Sequence, residues 1–202
     1  MFLDITKSLN NHYFFLRHGQ SKPNIKNIVI SHIEDGKKNK WALTKAGEKQ
    51  VKESVKKAKS DKLLNKDVII YSSPFSRCKK TAEIAKEILG VKSLIIFDDR
   101  LRERWFGDLE KSHSDSYHKV WEEDKKNNSR SIFNVESVLS VKDRILEIIE
   151  ELEKKYKNKS ILIVSHGDPL QIAQTFFGKK EISHHRDIKH LEPAEIRELK
   201  II

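Results

Sequence analysis

Cysteine is almost absent from this sequence of 202 residues, which contains Cys78 alone. A single thiol cannot form an internal disulfide and cannot build a zinc-binding cysteine cluster, so we expect a reducing, cytoplasmic environment. Long hydrophobic runs are lacking too, because apolar stretches such as those within 160–166 and 66–73 are far too short to cross a bilayer. The first residues have neither the basic region nor the small-residue cleavage site of a secretion signal. We therefore expect no membrane segment and no export.

Acidic residues are outnumbered by basic ones, 30 against 40, which gives a formal net charge of +10. Most of the excess is lysine spread along helix-like stretches such as residues 49–62, whereas nucleic-acid sites concentrate Arg and Lys with aromatic residues on one face. We therefore predict a solvated, lysine-rich surface and no specific nucleic-acid partner. The length and the hydrophobic fraction of 37% predict one domain over residues 1–202.

Hydrophobic periodicity predicts that strands alternate with helices along the chain. Strand-like runs lie at residues 13–16, 67–73, 93–97, 160–168 and 195–201. Helical spacing is found at 44–58, 74–90, 112–128, 137–156 and 169–178, with Thr44 as a cap, Pro74 in a first turn, and Gly90 and Gly178 at helix ends. The polar segment 20–40 is predicted to be a long loop. This alternation predicts an α/β sheet with helices on both faces.

Polar residues that can carry chemistry follow four of the predicted strands. The segments at these strand ends read RHGQS (17–21), SSPFSR (72–77), LRER (101–104) and SHGDP (165–169). Because ligands of open α/β sheets bind outside the carboxyl ends of the strands, we expect these segments to meet on one rim. An isolated His or Arg at a strand end is commonly just a satisfied polar group, but four such placements on one rim favour a binding site.

The arginines and the first histidine of this rim suit phosphoryl transfer. Planar guanidinium groups bind phosphate oxygens in bidentate fashion, so Arg17 and Arg77 are predicted to clamp a phosphate. Backbone N–H groups near Gly19 and Pro74 are expected to add donors. His18 is then the candidate nucleophile, and its attacking nitrogen must be unprotonated. The two neighbouring guanidiniums favour that neutral state.

His166 and Glu103 are the candidates for the remaining chemistry. Beside a bound dianion the protonated form of His166 is favoured, so this side chain can stabilise the charge of the transferring group. Glu103 is the carboxylate nearest the rim, and a carboxylate beside a phosphate is expected to have a raised pKa. It can therefore protonate the leaving alkoxide and afterwards activate the water that hydrolyses the phosphohistidine.

Five blocks of the sequence resemble, in the same order, the motifs of the histidine phosphatase superfamily, in particular its branch 1, the phosphoglycerate mutase-like proteins. The blocks are LRHGQS (16–21) with the downstream Asn24, ALTKAGEKQ (42–50), SSPFSRCKKTAE (72–83), LRERWFGDLE (101–110) and VSHGDPL (164–170). A lone RHG tripeptide would be weak evidence, whereas five ordered blocks are specific.

The resemblance implies a three-layer α/β/α sandwich around a mostly parallel sheet, and a covalent phosphohistidine at His18 that needs no metal. It implies that Arg17, Arg77 and His166 hold the phosphoryl group and that Glu103 donates the proton. The remaining site residues expected are Asn24, Gly19 and Ser72 at the phosphate, and Gln20, Arg104 and Gly167 at the substrate.

Two reactions are compatible with this resemblance. A mutase must keep its phosphohistidine from water and rebind a bisphosphate, with 2,3-bisphosphoglycerate as cofactor. Mutases have Glu-Arg-His-Tyr-Gly where this chain has Trp105 and Phe106 in place of His and Tyr, and its segment 111–136 is compact. We therefore favour a phosphatase without a cofactor. Arg104 supports the mutase alternative, and a sugar phosphatase of the fructose-bisphosphatase type also fits. A catalytically silent binding module is a less favoured alternative.

The segment 183–193 contains His184, His185 and His190 and invites a metal-site interpretation. No cysteine and no recognised carboxylate spacing accompany these histidines, so we expect instead a loop near the pocket, where Arg186 or His184 meets substrate. Specificity is expected in the segments 25–41 and 111–136. The predicted partner is an anionic, phosphorylated small molecule, while its identity and the oligomeric state stay open.

Overall fold

The computed structural model describes residues 8–127, 129 and 132–201. Residues 1–7 lie outside these ranges, and the expectation that the chain has no secretion signal concerns these residues. Positions 128, 130 and 131 of the segment 111–136, where specificity is expected, also lie outside them. The strands are β1 (His12–Arg17), β2 (Ile69–Ser72), β3 (Ile96–Phe97), β4 (Ser160–Ser165) and β5 (Ile196–Glu198). The α-helices are α1 (Lys22–Lys26), α2 (Ile33–Gly36), α3 (Lys45–Ser60), α4 (Ser76–Leu89), α5 (Ser116–Lys126), α6 (Val138–Lys155) and α7 (Gly167–Phe177). None of these helices is both long and apolar enough to span a membrane.

The five strands form one sheet in the order β3-β2-β4-β1-β5. Four of them are parallel, and β5 alone runs antiparallel, against β1. The register of β1 and β4 places Arg17 beside Ser165, so the segments that follow these two central strands leave the sheet side by side. The predicted α/β fold with a mostly parallel sheet is confirmed.

The two faces of the sheet are covered by different helices. Phe14 and Leu16 of β1 pack in one cluster with residues of α3 and α4, whereas Tyr13 and Phe15 pack on the other face with residues of α6 and α7. This division follows from the two-residue period of a strand. Each of these four side chains is buried, and burying a large apolar side chain contributes roughly 1.5–3 kcal/mol. The result is a three-layer α/β/α sandwich, as the family resemblance implies.

Several helix ends follow the signals read in the sequence. Thr44 caps α3 by accepting a hydrogen bond from the Gly47 N–H group, and Ser137 caps α6 in the same way. Helix α4 ends at Gly90, whose φ of 78° lies in the left-handed region that favours glycine. These signals set where α3, α4 and α6 begin or end.

Several predictions of local structure are wrong in detail, and strand β4 for example ends at Ser165, before the predicted end at 168. Helix α4 begins at Ser76, because Phe75 is extended and Pro74 lies before the helix. Strand β3 has two residues rather than the five of 93–97. The segment 20–40 is not a continuous loop, since it contains α1 and α2. Pro23 lies in the first turn of α1, and the side chain of Asn24 accepts a hydrogen bond from the preceding Ser21 N–H group. The polar composition of the segment hid this helix start.

Candidate active site

The carboxyl ends of the parallel strands bring six of the predicted residues together around one cavity, while His166 lies behind its lining. Its volume is about 240 Å³, which is near the lower end of ligand pockets, roughly 300 Å³, and suits a small metabolite. The cavity is lined by Arg17 and His18 after β1, Arg77 in the first turn of α4, Glu103 in the loop after β3, Asn24 of α1 and Gly167 of α7.

His18 is buried, and its hydrogen bonds assign the positions of its proton and its lone pair. Nδ1 lies 2.8 Å from the carbonyl oxygen of Gly19, which can only accept, so Nδ1 carries the hydrogen. Nε2 accepts a hydrogen bond from Nε of Arg77 over 3.1 Å. Burial, together with the charges of Arg77 and Arg17, holds the pKa of His18 well below its usual 6.5. The side chain is therefore a neutral imidazole with its lone pair on Nε2.

The two arginines have donors that nothing else in the described structure satisfies. Arg17 donates from Nη1 to the Leu191 carbonyl oxygen, and Arg77 donates from Nη2 to the Ile30 carbonyl oxygen. Nε of Arg17 and Nη1 of Arg77 are buried and have no hydrogen-bond partner among the described residues. Unpaired buried donors are costly, so these groups call for an acceptor, and a tetrahedral oxyanion supplies several.

Glu103 is largely buried beside these cations, with 12% of its side chain exposed. Its Oε2 atom lies 3.7 Å from Nη2 of Arg77 and 3.6 Å from Nδ1 of His166. Burial raises the pKa of Glu103 to about 7; Arg77 opposes the shift, and the charge of Asp168 adds to it. A carboxyl group with this pKa exchanges a proton near neutral pH, as a general acid and base must.

His166 is fully buried directly behind His18, with the two ring centroids 5.3 Å apart. Its Nε2 atom faces the Ser73 hydroxyl at 2.8 Å and the Cys78 thiol at 3.4 Å, two groups that can donate. This arrangement favours the hydrogen on Nδ1, the nitrogen nearer Glu103. Burial and the charge of Arg77 hold the pKa of His166 well below 6.5. The protonation expected for His166 therefore requires the charge of a bound dianion.

The block 42–50 clamps the loop that carries His18. Gln50 accepts a hydrogen bond from the Gln20 N–H group over 2.9 Å. A Cβ atom on Gly47 would lie 1.9 Å from the Gln20 carbonyl oxygen, and one on Gly19 would lie 2.5 Å from that of Gly47. Only glycine at both positions permits this approach. The loop after β1 is thereby fixed against the start of α3.

Four of the expected contacts are not made as predicted. The Gly19 N–H group already donates to the Thr81 hydroxyl over 3.3 Å, and the Ser72 hydroxyl donates to the Ser73 carbonyl oxygen. The side chain of Gln20 accepts a hydrogen bond from the Thr44 hydroxyl, over 2.8 Å. Gly19, Ser72 and Gln20 lie off the lining of the cavity, because their polar groups are used in holding the loops together.

The fourth expected contact, between Arg104 and the substrate, is not made as predicted either. Arg104 is 1% exposed and forms a bidentate ion pair with Asp124 of α5, with N–O distances of 2.6 and 2.7 Å. Neighbouring side chains of an extended loop point in different directions, so Glu103 faces the cavity while Arg104 faces α5. Asn24, in contrast, lines the cavity, and its Oδ1 atom accepts from Ser21, which leaves its NH₂ group as a donor.

The sequence reading missed most of the far wall of the cavity. Tyr117 and Trp121 of α5, Asp168 of α7, and His190 all line it, together with the anticipated Arg186. The guanidinium of Arg186 stacks on the Trp121 ring at 3.8 Å. One signal was available, since Tyr117 and Trp121 lie four residues apart on one helix face. Their helix shows no clean apolar stripe, so this signal did not stand out.

The histidines of segment 183–193 have separate environments. His184 is exposed and pairs with Asp187 at 2.9 Å, away from the cavity, whereas His185 is buried with Nε2 at 4.0 Å from Asp168. Within the residues that the structure describes, no group of three or more His, Cys, Asp or Glu side chains is arranged to hold a metal ion. Of the two residues expected to meet substrate, Arg186 and not His184 lies on the cavity.

Residues 13–202 match the model of the histidine phosphatase superfamily (branch 1). The chain is 29% identical over 164 residues to a 2,3-bisphosphoglycerate-dependent phosphoglycerate mutase of Parvibaculum lavamentivorans, covering 77% of this chain and 74% of that protein. It is 31% identical over 163 residues to a probable phosphoglycerate mutase of Escherichia coli, covering 76% of this chain and 68% of that protein.

Solved structures share the fold. A mycobacterial glucosyl-3-phosphoglycerate phosphatase superposes with a TM-score of 0.76 at 18% identity, over 93% of this chain and 91% of the other. A phosphoserine phosphatase of Entamoeba histolytica superposes with a TM-score of 0.73 at 21% identity, over 93% and 89%. At these identities the likeness establishes the architecture alone.

Proposed function

The chain belongs to branch 1 of the histidine phosphatase superfamily, and from this premise we propose that it hydrolyses small phosphate monoesters through a phosphohistidine formed on His18. The observation that carries the proposal is the set of buried, unpaired guanidinium donors on Arg17 and Arg77 beside a neutral imidazole. Two fixed cations with free N–H groups suit a phosphate dianion. The adjacent lone pair supplies the nucleophile.

In the first step, Nε2 of His18 attacks phosphorus and the bond between phosphorus and the ester oxygen breaks. The hydrogen bond from Arg77 to Nε2 passes to a phosphate oxygen as the ester binds, which frees the lone pair. Glu103, protonated in part near neutral pH, gives its proton to the departing alkoxide. His166, charged once the dianion is present, stabilises the transferring group beside the NH₂ group of Asn24.

In the second step, Glu103 is a carboxylate and takes a proton from water. The resulting hydroxide attacks phosphorus, the N–P bond breaks, and inorganic phosphate leaves with His18 neutral again. One carboxyl group thus serves as acid and then as base, and its pKa of about 7 suits both roles. This sequence of steps uses no cofactor or metal.

The leaving group is proposed to lie against Arg186, Trp121 and Tyr117. Stacking on Trp121 uses the face of the Arg186 guanidinium and leaves its edge for hydrogen bonds. Its Nη1 atom lies 3.4 Å from Asp168 and 3.3 Å from Gln171. The remaining donors favour a substrate that carries a second anionic group, in keeping with the phosphoglycerate and phosphoserine in the names of similar proteins.

Phosphoglycerate mutase activity is the second candidate, because sequence relatives bear that name. Arg104 was the residue expected to provide the extra cation of a mutase, and its pairing with buried Asp124 removes it from the cavity. We therefore place hydrolysis first. A silent binding module is less well supported, since the nucleophile, both arginines and the carboxyl group lie around one cavity.

A panel of phosphorylated metabolites tests the proposal, with free phosphate and product isomers measured in parallel. Release of phosphate without exchange between 2- and 3-phosphoglycerate supports the phosphatase. Exchange that requires 2,3-bisphosphoglycerate would replace it with the mutase. Binding of the panel without either reaction would favour the silent module.

A further inference from the structure

The guanidinium of Arg17 is anchored through one nitrogen. Nη1 lies 2.6 Å from Nε2 of His190 and 2.6 Å from the Leu191 carbonyl oxygen. A guanidinium NH₂ group has two hydrogens, so both of those on Nη1 are used. The buried, unpaired Nε atom belongs to the other edge of the group, and Arg17 is one of the residues that line the cavity. Whatever holds Nη1 therefore sets the angle at which the free edge meets a ligand.

Arg17, His190 and Gln171 are linked by consecutive hydrogen bonds. The contacts of Gln171 determine which atoms donate and which accept. Gln171 is fully buried and donates from Nε2 to the Ile188 carbonyl oxygen over 3.1 Å. Its Oε1 atom then faces Nδ1 of His190 at 2.6 Å. Because an amide oxygen only accepts, Nδ1 of His190 carries the hydrogen and Nε2 is the acceptor. This is the tautomer that Arg17 requires.

His190 is held neutral by its surroundings. Burial, followed by the charges of Arg17 and Arg186, lowers the pKa of His190 to about 4; Asp168 opposes this shift and Arg197 adds to it. A protonated ring would place a hydrogen on Nε2 and repel the guanidinium. Both ring nitrogens are engaged within the protein, so His190 borders the cavity without a free polar atom for a substrate.

We propose that His190 is a positioning residue, which holds the free edge of the Arg17 guanidinium toward the bound phosphoryl group. This role rests on the proposed function, because it matters only if Arg17 binds that group. Gly167 at the start of α7 lies close to the same guanidinium, since a Cβ atom at this position would be 3.6 Å from Nε of Arg17. His190 thus acts through Arg17 and not on the substrate.

Substitution of the acceptor tests this role. His190→Leu removes it, whereas His190→Gln keeps an oxygen near the position of Nε2. We expect the Leu variant to bind inorganic phosphate about 10- to 100-fold more weakly and to lose kcat/KM by a similar factor, as for a lost charge-assisted hydrogen bond. The Gln variant is expected to retain most of both. His184→Leu, a control in the same loop at an exposed histidine, should change neither.

A second background separates positioning from a general structural role. Arg17→Lys replaces the planar guanidinium by an ammonium group that His190 does not orient. Adding His190→Leu to this variant should therefore weaken phosphate binding little further. An equal loss in both backgrounds, or unchanged phosphate binding by a folded Leu variant, would overturn the proposal. If His190→Leu does not fold, Gln171→Leu provides a second test, because it removes the oxygen that orients His190. Unchanged phosphate binding by Gln171→Leu would also overturn the proposal.

Calorimetry with inorganic phosphate measures binding without turnover. It therefore tests the positioning role of His190 separately from the proposed hydrolysis of phosphate esters. A wild-type protein that binds phosphate and hydrolyses no ester would refute the proposed function, and the His190 comparison would still be decided by the binding data. A wild-type protein that does not bind phosphate would overturn both.

Discussion

Nε of Arg77 donates a hydrogen bond to Nε2 of His18 over 3.1 Å, so a permanent cation faces the lone pair of the candidate nucleophile. A protonated imidazole would place N–H against N–H and a charge against a charge. Burial and this contact therefore keep His18 neutral, and the approach of a phosphate would give the Arg77 donor a better acceptor. In the proposed mechanism one residue thus prepares the nucleophile and binds its target.

The pH dependence of the rate should reveal the proton of Glu103. Because kcat/KM reports the free enzyme and burial raises the pKa of Glu103 to about 7, kcat/KM for an alkyl phosphate should fall as the pH rises above 7. In Glu103→Gln this alkaline decline should disappear, with an overall loss of about 10²–10⁴-fold. Ionisation of the ester affects the pH dependence of kcat/KM equally in both proteins, so the difference between the two profiles reports Glu103. An unchanged decline in the variant would assign it to another group.

Folding stability should respond to the same carboxyl group, independently of activity. The pKa of Glu103 is about 7 in the folded protein against its ordinary 4.5, so the folded state binds the proton more tightly and loses stability as the pH rises from 4.5 through 7. Glu103→Gln removes this loss. Its advantage in free energy of unfolding over wild type should grow from about pH 5 to about pH 8, by at most roughly 3 kcal/mol. Urea denaturation measures it, and a difference independent of pH would contradict the account.

The ion pair of Arg104 and Asp124 is predicted to be structural. Arg104→Met leaves a buried carboxylate unpaired and should lower the free energy of unfolding by about 3–5 kcal/mol. Arg102→Met, at a partly exposed arginine two positions earlier, should cost at most about 1 kcal/mol. A folded Arg104→Met protein with normal stability and a raised KM would instead show that Arg104 binds the substrate.

Arg186 is predicted to select the leaving group. Arg186→Met should lower kcat/KM for 3-phosphoglycerate by about tenfold, the cost of one charged hydrogen bond, and leave glycerol 1-phosphate almost unaffected. The two esters differ chiefly in the carboxylate. Equal effects on both would show that Arg186 supports the wall of the cavity without reading the substrate.

The sequence allowed prediction of the residues at the ends of parallel strands and in the segments that follow them, because strand ends share one edge whatever the rest of the chain does. Arg17, His18 and Arg77 belong to this group. Glu103 and Arg104 show the limit: they are adjacent in a loop without periodicity, and only packing against α5 decides which one faces the cavity. Trp121 reaches the site from a segment distant in sequence, and its helix has no clean apolar stripe to mark the face toward the cavity. The sequence predicts Arg186 near the pocket, but its stacking on Trp121 depends on packing that no local pattern shows.

The most direct test of the central claim is to trap the phosphoenzyme with a labelled ester, by rapid quenching. The account predicts a covalent label that survives alkali, is lost in acid, and is absent from His18→Ala. With an activated aryl phosphate, whose leaving group needs no proton, Glu103→Gln should accumulate the label because the second step lacks its base. A label that persists in a folded His18→Ala protein, or turnover in that variant at the wild-type rate, would contradict a phosphohistidine at His18.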